Sequence, residues 1–599
     1  MFRRGWLSII AGLCVFGVYA DADTSAKVIV ELQDAPAAKA YVDAIRQKAE
    51  PVRAAQKQLA RIESAQQALL DTLDAKSGAV QPLFRVQRIF NGIALRVDSG
   101  QLAQLSALPG VRAVHRLHSV QLHNSTSVPF IGANTLWNYP GLALTGKNIS
   151  VGIVDTGIDY VHPDFGGSGA NDVYQANDPT VLGDIPFPTA KVVGGYDFCG
   201  DDYDSTDIFN DTPFPDPDPM DANGHGTHVA GTVAGFGVTS SNATYIGSYS
   251  ETTPVATMKI GPGVAPEASL YALKIFGASG DSDLLLPAIE WAVDPNADGD
   301  FSDHLDVLNM SLGEAFGPAD APEAIACGNA AAVGVIIVAS AGNSWDTYFS
   351  AGMPAAAPAV ISVAACEDQD PSYPELSPDK IAYFSSRGPS GSGDGSFFLK
   401  PDITAPGRAI RSAAAKAVNL STLYRDMSGT SMAAPHIAGT MALLRQSRPE
   451  WSIAELKALL MNNAADVFSA SNYGLPKSAP ARAGAGRAQV NLLAEKSVVA
   501  FDADAPEAVS VTFQTREAAG NETENRTIRV LNKGTSPVNY NAALDILTDI
   551  PGITISLDPA STGSIAPGTY ADLTLHLQAD AAGGSRMQTD RDAGDIDQF

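Results

Sequence analysis

Between residues 124 and 494 the apolar positions fall into two recurring patterns. Short continuous runs occur at 149–154, 269–275, 307–310, 335–339 and 360–364. They are too short for helices and apolar enough to be covered on both sides, so they predict strands of a parallel sheet. Between them, stretches at 227–236, 284–293, 321–333, 431–446 and 453–462 carry small and apolar residues in helical patterns. Strands alternating with helices predict an α/β domain, a parallel sheet with helices on both faces.

The flanks read differently. In 23–123, Lys27-Val28-Ile29-Val30-Glu31-Leu32 predicts a strand, and the Ala-, Gln-, Lys- and Leu-rich stretch 37–76 predicts one or two helices. Strands are expected at 84–86 and 93–97 around Asn91-Gly92. A short helix at 101–108 is stopped by Pro109-Gly110, and a last strand covers 111–117. The order β-α-β-β-α-β is a split βαβ unit. After 494 the period becomes two: Val509, Val511 and Phe513, then Ile528 and Val530, then Ile553, Ile555 and Leu557, then Leu573, Leu575 and Leu577. With turns at Lys533-Gly534, Pro551-Gly552 and Pro567-Gly568, residues 495–580 predict a β-sandwich short of strands. The Gly- and Asp-rich stretch 581–599 lacks apolar periodicity and is expected to be disordered.

Composition narrows the setting. A chain of 599 residues with 45% hydrophobic and 18% charged residues holds two to four domains with a large core. Sixty-six acidic against 39 basic residues give a net charge of −27, which argues against a nucleic-acid partner and suits a soluble extracellular protein. Residues 1–22 begin with a basic Met1-Phe2-Arg3-Arg4, continue through an apolar run and end in Ala20-Asp21-Ala22, the form of a secretory signal peptide. No other stretch is expected to cross a membrane. Once the signal is removed, Cys199, Cys327 and Cys366 remain, so at most one disulfide forms, with Cys327 and Cys366 the expected pair. The acidic, Pro-rich segment 166–222 is expected to be a surface loop beside the cleft.

Three stretches carry the chemistry. Val151-Gly152-Ile153-Val154-Asp155-Thr156-Gly157 ends a buried strand in a carboxylate, where open α/β sheets place their sites. Asn223-Gly224-His225-Gly226-Thr227-His228 sets a histidine between glycines at a helix start. Ser428-Gly429-Thr430-Ser431-Met432-Ala433-Ala434-Pro435-His436 puts Ser431 where a loop becomes a buried helix, beside unpaired N–H groups that can stabilise an anion. Asp, His, Ser is one of the chain orders in which a catalytic triad occurs. All three stretches, in this order, closely resemble the subtilisin-like (subtilase) serine peptidases.

The resemblance implies that Asp155, His225 and Ser431 form a triad, with His228 a packed neighbour and Asp159 and Asp164 loop carboxylates. Ala339-Ser340-Ala341-Gly342-Asn343 matches the family stretch whose Asn343 amide and the Ser431 N–H would hold the oxyanion. Substrate would lie extended along Asn309-Met310-Ser311-Leu312-Gly313. Ser311, Leu312 and Gly313 on one side and Ala339, Ser340, Ala341 and Gly342 on the other would wall a pocket floored by Gly352. Such walls are expected to accept a large apolar or aromatic side chain. Residues 23–123 resemble the ferredoxin-like inhibitory propeptide of the family, with processing near His123-Asn124-Ser125, and 495–580 resemble its fibronectin-III-like domains. The implied protein is a secreted serine endopeptidase of proteins and peptides, autoprocessed and inhibited by its own propeptide, without organic cofactor or transmembrane segment.

Asp294-Pro295-Asn296-Ala297-Asp298-Gly299-Asp300-Phe301-Ser302-Asp303 begins like a calcium loop, with oxygen ligands at alternate positions and glycine sixth. Position twelve is Leu305, so Asp303 or Asp306 would have to close the site. Two other classes compete: a binding protein built on the same scaffold, and a serine esterase. The esterase reading lacks a G-x-S-x-G elbow at Ser431 and needs another triad order.

Overall fold

The computed structural model describes residues 25–77, 82–98, 102–116, 121–122, 127–368, 376–418, 420–469, 477–513, 521–547 and 551–580. The expected signal peptide and tail lie outside these residues. The central sheet has seven parallel strands: Ser150–Asp155 (β1), Val192–Asp197 (β2), Ser269–Lys274 (β3), Val307–Met310 (β4), Ile336–Ser340 (β5), Ile361–Cys366 (β6) and Ile403–Pro406 (β7). Their spatial order is β7-β6-β5-β4-β1-β3-β2. The connection after β1 runs toward the β2 edge and the connection after β4 toward the β7 edge, so the crevice at the carboxyl ends of these two adjacent strands is the topological switch point, where such sheets bind ligands.

Helices His225–Ala234 (α1) and Thr430–Ser447 (α4) cover one face, and Leu285–Val293 (α2) and Pro322–Val333 (α3) the other. Helix α5, Ile453–Asn462, packs beside α4. The pleat explains the division. Ile336 and Val338 of β5 join the core of α1 and α4, while Ile337 and Ala339 join that of α2 and α3. Among the described residues no helix is long and apolar enough to cross a membrane.

Two expectations are corrected. Segment 166–222 is not only a surface loop, because it contains β2, the edge strand of the sheet, and the buried Asp197, Asp218 and Asp221. Cys327 and Cys366 are not paired. Cys327 sits inside the α2/α3 core and Cys366 at the end of β6, and Cys199, Cys327 and Cys366 are all buried free thiols. Burial raises the pKa of each, which keeps them unreactive. Asp159 and Asp164 follow β1 as expected, Asp159 in a loop and Asp164 in a short 3-10 turn, and both are fully buried. Asp159 Oδ2 accepts the Lys416 N–H (2.9 Å) and Asp164 Oδ1 the Gly237 N–H (2.7 Å). Burial pushes both carboxyls up to about 7.

The N-terminal region forms a four-stranded antiparallel sheet from Ser25–Leu32, Phe84–Val86, Gly92–Asp98 and Val111–Arg116, with helices Ala37–Arg46 and Pro51–Ser77. Its Ile29, Val86, Ile89 and Phe90 join the apolar core of α2 and α3. Glu290 of α2 accepts the N–H groups of Gln87 (2.7 Å) and Arg88 (2.9 Å), capping that domain with a buried carboxylate. At the other end, Val498–Asp502, Glu522–Asn532, Tyr570–Ala579 and Ile553–Asp558 pair in that order in one antiparallel sheet. Val509 to Phe513, expected as a strand, run irregularly.

Candidate active site

Asp155 is the last residue of β1 and has no exposed surface. Its Oδ1 accepts the Thr156 N–H (2.8 Å) and bonds His225 Nδ1 at 2.7 Å. With the carboxylate as acceptor, Nδ1 carries the proton and Nε2 is left as the basic nitrogen. His225 opens α1 and is nearly buried. The approach needs glycine at 226: a Cβ there would stand 2.2 Å from the Gly157 carbonyl oxygen and 3.1 Å from Asp155 Cβ. His228 cannot share the task. It is wholly buried, its Nε2 faces the Ile410 and Arg425 carbonyls at 3.2 and 3.3 Å, and burial drives its pKa well below the usual range.

Ser431 is the second residue of α4, buried at the positive end of the helix dipole. Its hydroxyl donates to the Ser311 carbonyl (2.8 Å), and the Ser311 hydroxyl donates to the Ser431 carbonyl. Helices α1 and α4 pack on each other, which brings the segments carrying His225 and Ser431 to the same end of the sheet. Asn343 lies just beyond β5. Its Oδ1 accepts both the N–H and the hydroxyl of Thr430, each at 3.0 Å. A backbone N–H only donates, so this contact assigns the amide orientation and turns Nδ2 away from Thr430.

The expected pocket residues gather around these groups. Leu312 and Gly313 pair antiparallel with Leu122 and Gln121, so a segment of the N-terminal region already lies along this edge as an added strand. Ala339 and Ser340 end β5, with the Ser340 hydroxyl on the Leu312 carbonyl (3.2 Å). The Ala341 N–H bonds the Val363 carbonyl (2.9 Å) and the Gly342 N–H the Thr430 hydroxyl (3.1 Å). Gly352 closes against the same wall. A Cβ there would lie 1.8 Å from the Glu314 carbonyl oxygen, so no larger residue fits. Glu314 itself, with a buried Oε2, follows Gly313 directly and puts a carboxylate beside walls read as uncharged.

Sequence reasoning missed the groups that hold these side chains: Thr156, Asp221, Thr227 and Thr430. Asp221 stands three residues ahead of the helix N-cap Gly224, outside the usual capping position, so the sequence carried no specific signal for it.

The loop at 294–303 does not fit a calcium ion in this arrangement. Asp294 accepts the N–H groups of Asp298 (3.0 Å) and Gly299 (3.1 Å) and pairs with Arg88 Nε at 2.6 Å. Asn296, Asp298 and Asp300 likewise accept from the backbone N–H groups of Asp298, Asp300 and Ser302. Among the described residues no three His, Cys, Asp or Glu side chains converge as a metal site, and Asp303 joins no such group.

A buried Asp–His pair at the switch point, with a serine on a helix N-terminus and an asparagine held beside it, defines a hydrolase-type site on a parallel α/β sheet. The Subtilase family model matches residues 146–489, and the chain belongs to that family. Similar proteins from Bacillus subtilis (strain 168) include the minor extracellular protease Vpr, 25% identical over 609 positions, covering 76% of this chain and 66% of Vpr. Serine protease AprX is 32% identical over 340 positions, covering 54% of this chain and 62% of AprX. Subtilisin E is 27% identical over 479 positions, covering 79% of this chain and 96% of subtilisin E. The chain thus spans less than two thirds of Vpr and AprX and nearly all of subtilisin E.

Proposed function

We propose that the chain is a secreted serine endopeptidase made as a self-inhibited precursor. The observation that carries the reading is the Asp155–His225 bond at 2.7 Å beside the Asn343–Thr430–Ser431 assembly. In this reading the Ser431 oxygen attacks a peptide carbonyl and its proton passes to His225 Nε2. The imidazolium, stabilised by Asp155, then protonates the leaving amine, and water releases the acyl group by the same path reversed. Asn343 Nδ2 and the Ser431 N–H donate to the oxyanion, and Thr430 holds Asn343 for that task. Asn343→Ala is therefore expected to lower kcat about 100- to 1,000-fold with a small change in KM, the loss measured when subtilisin is deprived of one oxyanion donor. A loss below about tenfold, on active-site-titrated enzyme, removes Asn343 from the oxyanion site.

Two contacts support the precursor reading. Residues 121–122 pair with 312–313 in the place of a substrate strand, and the Ser127 N–H bonds His436 Nε2 at 2.5 Å, on the helix that carries Ser431. In this reading the processing bond, expected near His123-Asn124-Ser125 and outside the described residues, falls between residues 122 and 127. Expression of the full chain followed by N-terminal sequencing and casein digestion tests this. A new N-terminus in that interval with casein cleavage supports it, and an intact, inert chain overturns it.

Calcium at Asp294, Asn296, Asp298, Asp300 and Asp303 belongs to the same proposal, for the mature form alone, where departure of Arg88 uncovers Asp294. Chelation is then expected to lower the melting temperature of the processed enzyme and not that of the uncut chain. An unchanged melting curve for the processed enzyme removes the site.

A further inference from the structure

Asp221 lies four residues ahead of His225 and has no exposed surface. Its Oδ1 accepts the Thr156 hydroxyl (2.9 Å) and the N–H groups of Asn223 (2.9 Å) and Gly224 (2.7 Å). Its Oδ2 accepts the N–H (2.9 Å) and the hydroxyl (2.5 Å) of Thr227. Five donors on one buried carboxylate satisfy it as an acceptor alone, and charge-assisted bonds of this kind are the strong ones.

A helix-capping acid needs only the free N–H groups of the first turn. Asp221 does more, because one of its bonds leaves the turn and crosses to the end of β1. The Thr156 hydroxyl that donates to Asp221 also accepts the Gly226 N–H (2.8 Å). The Thr156 N–H is bound to Asp155 Oδ1, the oxygen that also takes His225 Nδ1. A second tie runs through the Thr227 hydroxyl, which accepts the Asp159 N–H at 2.8 Å. Asp155 and His225 are 70 positions apart in the chain, and their separation in space depends on how these two backbone segments are held.

We propose that Asp221, acting through the Thr156 and Thr227 hydroxyls, is a positioning residue that locks the strand end bearing Asp155 to the turn bearing His225. It touches no reacting atom. Its role is to hold the imidazole in one geometry against Asp155, where a misplacement of about 1 Å can cost about 100-fold in rate. The inference rests on the peptidase reading above.

The test uses the full-length chain as wild type, Asp221→Asn, Thr156→Val and Thr156→Ser, each matured in parallel and titrated for active sites. Steady-state kinetics on a chromogenic tetrapeptide amide and thermal melting are recorded for each. Asn at 221 turns an amide donor toward donors already present. It is expected to lower kcat about 10- to 100-fold while KM stays within about twofold. Thr156→Val keeps the shape and removes the hydroxyl, with an expected loss of about tenfold in kcat, and Thr156→Ser is expected to restore kcat to within about twofold. A purely structural role would lower melting temperature without this split or rescue.

If kcat in both Asp221→Asn and Thr156→Val stays within about threefold of wild type, the inference fails. A loss in Thr156→Ser equal to that in Thr156→Val overturns it as well. If Asp221→Asn does not accumulate as folded protein, the Thr156 pair decides alone. An inert wild type overturns the peptidase reading and this inference with it, whereas an active wild type with unaffected variants overturns this inference only.

Discussion

Ser431→Ala is expected to abolish casein digestion and to leave the chain at full length. In the structure the substitution removes one oxygen, whose bond is to the Ser311 carbonyl at 2.8 Å. Everything around it remains: the Asp155–His225 pair, the Thr430 contacts to Asn343 and the N-terminal strand on Leu312 and Gly313. Folding should therefore be unaffected, and the melting temperature of the variant should match that of the uncut wild type. Loss of the nucleophile costs about 10⁶-fold in kcat, a magnitude measured on subtilisin and carried over as an expectation. The residual acceleration comes from the oxyanion donors and binding, too little to digest casein in any practical time. The binding-protein alternative makes the opposite prediction, that wild type and variant behave alike. Identical gels and identical casein blanks from the two would end the peptidase reading.

The parts of the molecule legible in the sequence are those with one-dimensional signatures. β1, β3, β4, β5 and β6 are continuous apolar runs, and their ends in the structure lie within two residues of the expected ones. β2 and β7 carry no such signal. Val192–Asp197 has two glycines and stands in an acidic, Pro-rich setting, and Ile403–Pro406 has four residues and ends in proline. Both take strand form because a neighbouring strand supplies the ladder, β3 for one and β6 for the other.

The site divides the same way. Asp155, His225 and Ser431 announce themselves by the small residues that let backbones close in, such as Gly226. Asp221, Thr156 and Thr430 work through contacts to residues 65 or more positions distant, or through an amide orientation, and a linear reading has no access to either. Burial of Asp159 and Asp164 was hidden for a related reason. Asp164 fits beneath α1 because the helix presents Gly231 and Gly235 there, where a Cβ would come within 2.8 and 2.2 Å of its Oδ2. At the calcium-like loop the spacing suits a cation but says nothing of Arg88, more than 200 positions away, which pairs with Asp294 in the uncut chain.

Asp155→Asn is expected to lower kcat about 10⁴-fold, the size typical of replacing a triad carboxylate by its amide, with KM nearly unchanged. Asp155 Oδ1 serves both the Thr156 N–H and His225 Nδ1, while Oδ2 is buried with no hydrogen-bond partner among the described residues. An asparagine can take two orientations here, and both fail. If its oxygen keeps the place of Oδ1, the amide nitrogen is stranded where Oδ2 was, an unpaired buried donor costing about 1–3 kcal/mol. The imidazolium also loses its counter-charge at the moment it forms. If the amide is reversed, Nδ2 faces the Thr156 N–H, donor against donor, and can only donate to His225 Nδ1. That contact moves the imidazole proton to Nε2, so the nitrogen needed to accept the Ser431 proton is already occupied. Neither orientation alters a group that touches substrate, which is why the loss should appear in kcat and not in KM. Active-site titration followed by single-turnover acylation on a peptide ester checks the assignment. An acylation rate within about tenfold of wild type would show that the imidazole keeps its tautomer without Asp155, and the triad would then reduce to His225 and Ser431.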